Sequence, residues 1–217
     1  MVTPLFDFIT NLYCMFDNTD AILAEINPLG ITEENNLIAL DGKVDIDDSA
    51  LYRQEFAVKY RDELQEEELI LEARKFKFLY IPIEEDGDIG VISNGSGMLM
   101  SSIDLISKGN MKVGAALDLG GGATADRIKE AVRIILSDEK IKYLYINIFG
   151  GITRCNEVAE GVKTAMITQS ADKSVILRLE GTNKDLGVTI IKTIGEKVSS
   201  VDGLVEGVAE LSKRRII

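Results

Sequence analysis

The stretch Tyr143 to Glu157, YLYINIFGGITRCNE, constrains the fold of this chain more than any other. Tyr143, Leu144, Ile146, Ile148 and Phe149 form a near-continuous apolar run. Such a run reads as a strand covered on both faces, as in a parallel sheet. Gly150 and Gly151 break it, and Val158, Val162 and Met166 resume at helical spacing. A strand, a glycine turn and a helix place unpaired N–H groups and a positive dipole end at the carboxyl edge of a sheet. An anion fits such a place. An isolated Gly-Gly would read equally well as a tight connection, so the weight falls on what the rest of the chain brings to the same edge.

From Asp88 onward, strand and helix alternate five times. Ile89–Ser93 leads into Asn94-Gly95-Ser96-Gly97 and a helix to about Lys108, and Ala115–Leu119 into Gly120-Gly121-Gly122 and a helix from Thr124 to Leu136. The stretch at 143–157 is the third unit. Val175–Leu179 ends in Glu180-Gly181-Thr182-Asn183 before a helix to about Ile194, and a short strand near Val198 precedes a closing helix. Right-handed crossovers turn this alternation into an α/β fold, a doubly wound parallel sheet. Ligands of such sheets bind outside the carboxyl ends of the strands, at the switch point. Four glycine-bearing loops on one edge are much stronger evidence than one.

The N-terminal part is different. Leu5, Phe8, Ile9, Leu12, Tyr13 and Phe16 make a helical stripe over 2–17. Ala21–Glu25 reads as a strand ending at Asn27-Pro28, and Leu37–Leu40 as a second ending at Asp41-Gly42, so the two form a hairpin around a polar loop. The hairpin brings Glu25 and Asn27 near Asp41. Two carboxylates and an amide oxygen suit magnesium, yet Asn, Asp and Gly are also common turn formers. Spacing alone favours turn chemistry. Asp45–Asp48 could cap a charged helix running to roughly Phe76, with a junction at Pro82 and Glu84–Gly87.

Composition narrows the chemistry. A net charge of −12 argues against nucleic acid and acidic membrane surfaces as partners. No apolar run reaches the length of a membrane span, and no basic-then-apolar leader opens the sequence, so a cytoplasmic protein is expected, or a mitochondrial one if a transit peptide was removed. Cys14 and Cys155 make neither a disulfide framework nor a zinc site. Cys155 follows the glycines, where a helix N-terminus could lower a thiol pKa, although a small buried side chain is its simpler role. The chain has no histidine, which excludes Ser-His or Cys-His catalysis and a histidine metal site from this chain alone. Chemistry here must use carboxylates, backbone dipoles and an oxygen-held metal, or borrow a residue.

Six motifs then occur in order: EINPL at 25–29, LDGK at 40–43, NGSG at 94–97, DLGGGA at 118–123, NIFGGITRC at 147–155 and LEGTN at 179–183. Together they resemble the β subunits of succinyl-CoA synthetase (succinate–CoA ligase). The resemblance covers nearly the whole chain. It implies the closing part of an ATP-grasp domain over 1–75, followed by a flavodoxin-like CoA-ligase domain over 76–217.

The resemblance also implies roles. Asn27 and Asp41 match magnesium ligands, and Glu25 an acidic residue of the catalytic nucleotide site visited by a phosphohistidine loop. Asn94, Gly151, Ile152 and Thr153 match substrate-binding positions. The helix after Gly151 matches one of two helices whose N-termini hold the phosphohistidine, the other belonging to the α subunit. That partner would supply the histidine and the main CoA site. Mg2+, a nucleoside triphosphate (ATP or GTP) and CoA are the implied cofactor and substrates. The front of the ATP-grasp domain is lacking, so the chain is expected to be a fragment or to be completed by a second polypeptide. Two alternatives stay open: a related acid–CoA ligase, for example one acting on malate, and a non-catalytic interaction fragment.

Overall fold

The computed structural model describes residues 2–63, 66–167 and 173–216. The chain divides into two compact units, Met1–Glu66 and Glu67–Ile217.

In the first unit, helix α1 (Val2–Asn18) is the helix read from the apolar stripe. The hairpin differs from expectation. Strand β1 (Ala21–Ile26) pairs antiparallel with β4 (Gly42–Ile46), and β2 (Leu29–Ile31) pairs with β3 (Leu37–Ala39). The Leu37 stretch thus does not pair with β1. Partners Glu25↔Lys43, Ile26↔Gly42, Leu29↔Ala39 and Ile31↔Leu37 nevertheless keep one register through both ladders. The two ladders are one long hairpin, with Asn27 N–H donating to Asp41 O at 3.2 Å and Leu40 N–H to Pro28 O at 3.1 Å across the gap. Pro28 has no N–H of its own, so the regular ladder lapses there.

The long helix expected over 45–76 is three shorter pieces. A 3-10 helix (Asp48–Arg53) follows Asp47, whose carboxylate accepts from Ser49 N, and then come α2 (Glu55–Glu63) and α3 (Glu68–Lys75). Residues 64–65 of that expected helix lie outside the described residues. Asp45 and Ile46 belong to β4. The second unit begins at α3, ahead of the domain junction expected at Lys75.

That unit is a six-stranded sheet. Strands β5 (Leu79–Pro82), β6 (Ile89–Ser93), β7 (Val113–Asp118), β8 (Tyr143–Gly150), β9 (Ser174–Gly181) and β10 (Val198–Val201) lie in the order β10-β9-β8-β6-β7-β5. Five are parallel; β5 is antiparallel to β7. The sheet is therefore mixed rather than wholly parallel. The sequence around Pro82 had read as a junction, but an edge strand tolerates a residue that cannot donate. The parallel strands follow the flavodoxin order, with the switch point between β6 and β8.

Alternation along the strands sends side chains to two layers. Val91, Ala116, Tyr145 and Ile176 meet Leu99 and Ile106 of α4 (Ser96–Lys108) and Leu211 of α8 (Leu204–Ile216). Ile92, Leu117, Ile146 and Leu177 meet α5 (Ala125–Ser137), α6 (Cys155–Met166) and α7 (Lys184–Ile191) on the other face. These side chains are essentially fully buried, the Val, Leu and Ile among them each stabilising by roughly 1.5–3 kcal/mol. Helices on both faces explain why β8 reads as a continuous apolar run.

Candidate functional site

Because five strands are parallel, the loops after β6, β7, β8 and β9 all open at one edge. One row of side chains near that edge is polar. Asp118, Ser93, Asn147 and Arg178 are Cα partners in one row across β7, β6, β8 and β9. Asn147 accepts from Arg178 Nη1 at 3.1 Å and donates to Ser102 Oγ of α4 at 2.9 Å. Ser93 Oγ donates to Asn147 O at 2.9 Å. Asp118 accepts from Ser96 Oγ at 2.7 Å and Gly120 N at 2.9 Å, tying the first two glycine loops together. Gly120 and Gly122 turn with φ of +66° and +70°, which the absence of a Cβ permits.

The β8–α6 loop is anchored at both ends. Gly150 and Gly181 are partners, and a Cβ on Gly181 would stand 1.9 Å from Gly150 O, with φ at +110°. A Cβ on Gly150 would meet Thr153 O at 2.5 Å. Both positions need glycine for close backbone approach. Gly151 does not: space is open around it and its φ lies outside the left-handed region. The two glycines of the pair thus serve different ends, one packing and one leaving room. Ile152 is 84% exposed, beside Gly122, whereas Thr153 is buried with its Oγ1 unpartnered.

Helix α6 begins here. Cys155 N–H donates to Thr182 O at 2.9 Å, and Val158 N–H makes the first intrahelical bond, to Arg154 O. The N–H groups of Asn156 and Glu157 lie between them without an intrahelical acceptor. Asn156 Oδ1 accepts from Asn183 Nδ2 at 2.8 Å, and Glu157 Oε2 from Ala125 N at 3.2 Å, so α6 is linked to the starts of α7 and α5. A single anion could meet positive helix ends there. The Cys155 thiol is not activated by this position. Burial, reinforced by Glu180, pushes its pKa up.

Asn94 sits at the end of β6, and both ends of its amide are engaged with the backbone of Phe149. In the first unit, Glu25, Asn27 and Asp41 come together as expected, although on β1 and the β4 approach. Asn27 Nδ2 donates to Glu25 Oε1 at 3.3 Å, and Asp41 Oδ1 accepts from Gly42 N at 2.9 Å. All three are exposed. The Asn27 amide oxygen and Asp41 Oδ2 remain as hard oxygen donors. Among the described residues, no group of three or more His, Cys, Asp or Glu could hold a metal. The donor set suits magnesium, which takes one or two protein oxygens and completes its shell with water and phosphate.

Sequence reading missed Asn147, Arg178 and Asp118. Their signal was present, since a polar residue inside an apolar strand run asks for a partner.

Residues 92–209 match the CoA-ligase family. The chain belongs to the CoA-ligase family. It is 41% identical over 204 residues to the succinate–CoA ligase [ADP-forming] β subunit of Bacillus subtilis (strain 168), covering 94% of this chain and 52% of that protein. The same-named protein of Staphylothermus marinus is 42% identical over 205 residues, covering 94% and 53%. This CoA-ligase chain therefore spans about half the length of these relatives. Among solved structures, ATP citrate lyase from Methanothrix soehngenii, in complex with citrate and coenzyme A, aligns with a TM-score of 0.78 at 18% identity. It covers 98% of this chain and 59% of that one, and shows the fold.

Proposed function

We propose that this chain is the C-terminal portion of a succinate–CoA ligase β subunit, with residues 1–75 closing an ATP-grasp domain and 76–217 forming the CoA-ligase domain. The observation that carries this reading is the β8–α6 loop. An open glycine, a buried unpartnered threonine hydroxyl and free helix N–H groups meet at the switch point of a chain about 41% identical to β subunits so named.

In the proposed reaction, the γ-phosphoryl group of ATP or GTP passes to a histidine nitrogen of an α subunit, releasing the diphosphate. A succinate carboxylate oxygen then takes the phosphoryl group and frees the histidine. The CoA sulfur attacks the resulting acyl phosphate, forming the thioester and expelling phosphate. The sequence of steps is reversible. This chain lends N–H dipoles of α6 and the substrate positions Asn94, Gly151, Ile152 and Thr153. Asn27 and Asp41 would hold Mg2+, which supplies charge neutralisation for the phosphates. Glu25 stands beside them as the acidic group of the nucleotide site. An α subunit is the proposed partner, with the rest of the ATP-grasp domain supplied by the remainder of a longer chain or by another polypeptide, and the site of action is the cytoplasm or, after removal of a transit peptide, the mitochondrion.

Without a histidine, the chain alone is expected to form no succinyl-CoA from ATP, Mg2+, succinate and CoA. In an assembly supplying the α subunit and the rest of the ATP-grasp domain, activity should appear, and Asp41→Asn should weaken Mg2+-dependent histidine phosphorylation about tenfold, the loss of a charged ligand. Activity in the chain alone, or an inactive assembly of folded components, would overturn the reading.

A further inference from the structure

We propose that Arg178 is a further acid-binding residue, whose guanidinium receives the second carboxylate of a dicarboxylic substrate. This rests on the function proposed above, and it adds to Asn94 and the β8–α6 loop without displacing them. Arg178 belongs to β9 and is half-buried, with its Nε sealed from solvent and unpartnered. Among the described residues no carboxylate pairs with it; Nη1 donates to the neutral Asn147 Oδ1 at 3.1 Å. The carboxylates around it are engaged elsewhere. Glu180, two residues along β9, pairs with Lys184 Nζ at 3.1 Å, and Asp118 accepts from Ser96 Oγ and Gly120 N. An arginine keeps its charge in such a place, and taking a charge from water without an opposite one is costly. In a chain with 36 acidic residues, a cation left without a carboxylate is reserved for an anion from outside.

The neighbours of the guanidinium aim it at the substrate positions. Asn147 is buried, and its Nδ2 donates to Ser102 Oγ of α4, which turns its Oδ1 toward β9. With Nη1 held there, Nη2 is not sealed off and is left to a ligand. The guanidinium carbon lies 5.9 Å from the centre of the Phe149 ring, so the side chain rises to the level of the residue before Gly150. That ring is exposed, and the Phe149 backbone is bonded to the Asn94 amide. Tyr145, Asn147 and Phe149 alternate onto the face of β8 that α4 and α8 cover, whereas α6 packs on the other. A dicarboxylic acid lying across the end of β8 would thus offer its reacting carboxylate to the α6 N–H groups and its second to Arg178. Asn94 retains one amide N–H and one lone pair between them. A monocarboxylic acid has nothing for Arg178, so this residue selects for the second charge.

The test uses the assembled ligase and compares succinate with succinamate, the same acid with one carboxylate replaced by a neutral amide. In the parent, succinamate should show a KM about 10- to 100-fold above that of succinate, the loss of one charge-assisted hydrogen bond. Arg178→Met keeps the apolar stem, and Arg178→Gln keeps a donor for Asn147; both remove the charge. In either variant the succinate KM should rise about 10- to 100-fold and the two acids should come within about threefold of each other, as in a double-mutant cycle. Histidine phosphorylation by ATP and Mg2+, which does not use the acid, should stay within about threefold. A variant that weakens both acids equally, or that loses melting temperature with succinate KM unchanged, would make Arg178 merely structural and overturn the proposal. A parent that takes both acids alike overturns it without any variant. A parent assembly that forms no succinyl-CoA would instead defeat the functional reading.

Discussion

The two units differ most in what they bury. In 67–217, strand side chains such as Ile92, Leu117, Tyr145, Ile146 and Leu177 are closed off by helices on both faces. Among the described residues of 1–66, the apolar side chains reaching comparable burial are those of Ala21 and Ala50. Phe6 and Tyr13 of α1 stand 68% and 66% exposed, and Ile22, Ile31 and Leu40 are exposed too. Both units have regular secondary structure, but one has a core and the other is largely surface. Helices and hairpins draw most of their stability from packing. The hairpin bearing Glu25, Asn27 and Asp41 therefore lacks the internal support that the glycine loops of the second unit enjoy.

This contrast can be broken by limited proteolysis of the intact chain. Cleavage is expected first within 1–66, leaving a resistant product that begins near Glu67, identified by mass spectrometry. In the same comparison, Ile146→Ala should cost about 2–5 kcal/mol of unfolding free energy, read from urea denaturation. Ile22→Ala, on an exposed strand position, should stay within about 0.5 kcal/mol. Equal protease resistance across both units, or equal costs for the two substitutions, would erase the distinction.

A sharper version of the contrast lies inside the second unit, at neighbouring glycines. A Cβ on Gly150 would meet Thr153 O at 2.5 Å and Glu180 O at 3.1 Å, both backbone atoms that cannot rotate away. Gly150→Ala should cost about 3 kcal/mol, a shift of about 6–12 °C in Tm for a chain of this size. Gly151→Ala should leave Tm within about 2 °C, because the site is open and its backbone ordinary. In an assembled ligase it is Gly151→Ala that should slow phosphoryl transfer, by crowding the anion. Comparable melting losses at both positions would mean that the pair is a single tight turn.

The sequence disclosed the second unit better than the first, for a physical reason. Buried strands and amphipathic helices leave strong periodic signals, and the four edge loops announce themselves by glycine, so β6 to α8 were legible within a few residues. The antiparallel β5 was hidden because Pro82 is commoner in turns than in strands. The hairpin register was misread because Leu29–Ile31 and Leu37–Ala39 are too short to display alternation, and Gly42–Ile46 carries charge on an exposed ladder. Gly150 and Gly151 look alike as letters; only the backbone of Glu180 and Thr153 tells them apart. The polar row of Asp118, Ser93, Asn147 and Arg178 was visible as polar residues in apolar strands, but its members lie far apart in sequence.

The smallest expected effect concerns what holds the first unit in place of a core. Asp20 follows α1, and its carboxylate accepts from Arg53 Nε at 2.9 Å and from Gln54 Nε2 at 2.6 Å. Gln54 also donates to Asn18 O at 3.0 Å, so the end of α1 is tied to the end of the 3-10 helix by polar bonds. The hydrogen bonds from Arg53 first, then from Gln54, lower the Asp20 pKa from 3.8 to about 2. A carboxyl depressed in the folded state stabilises it above the unfolded pKa. That contribution fades as pH falls from about 4 toward 2. The group is solvent-screened, so the effect should be modest. Hydrogen exchange of the Gln54 and Ala21 amides should accelerate over this pH window beyond the intrinsic pH trend, with little change in strands β6 to β9. Asp20→Asn should show the acid-like exchange already at pH 7 and should lose the extra pH dependence. A first unit whose exchange ignores both acid and Asp20→Asn would have to be held by something other than these polar ties.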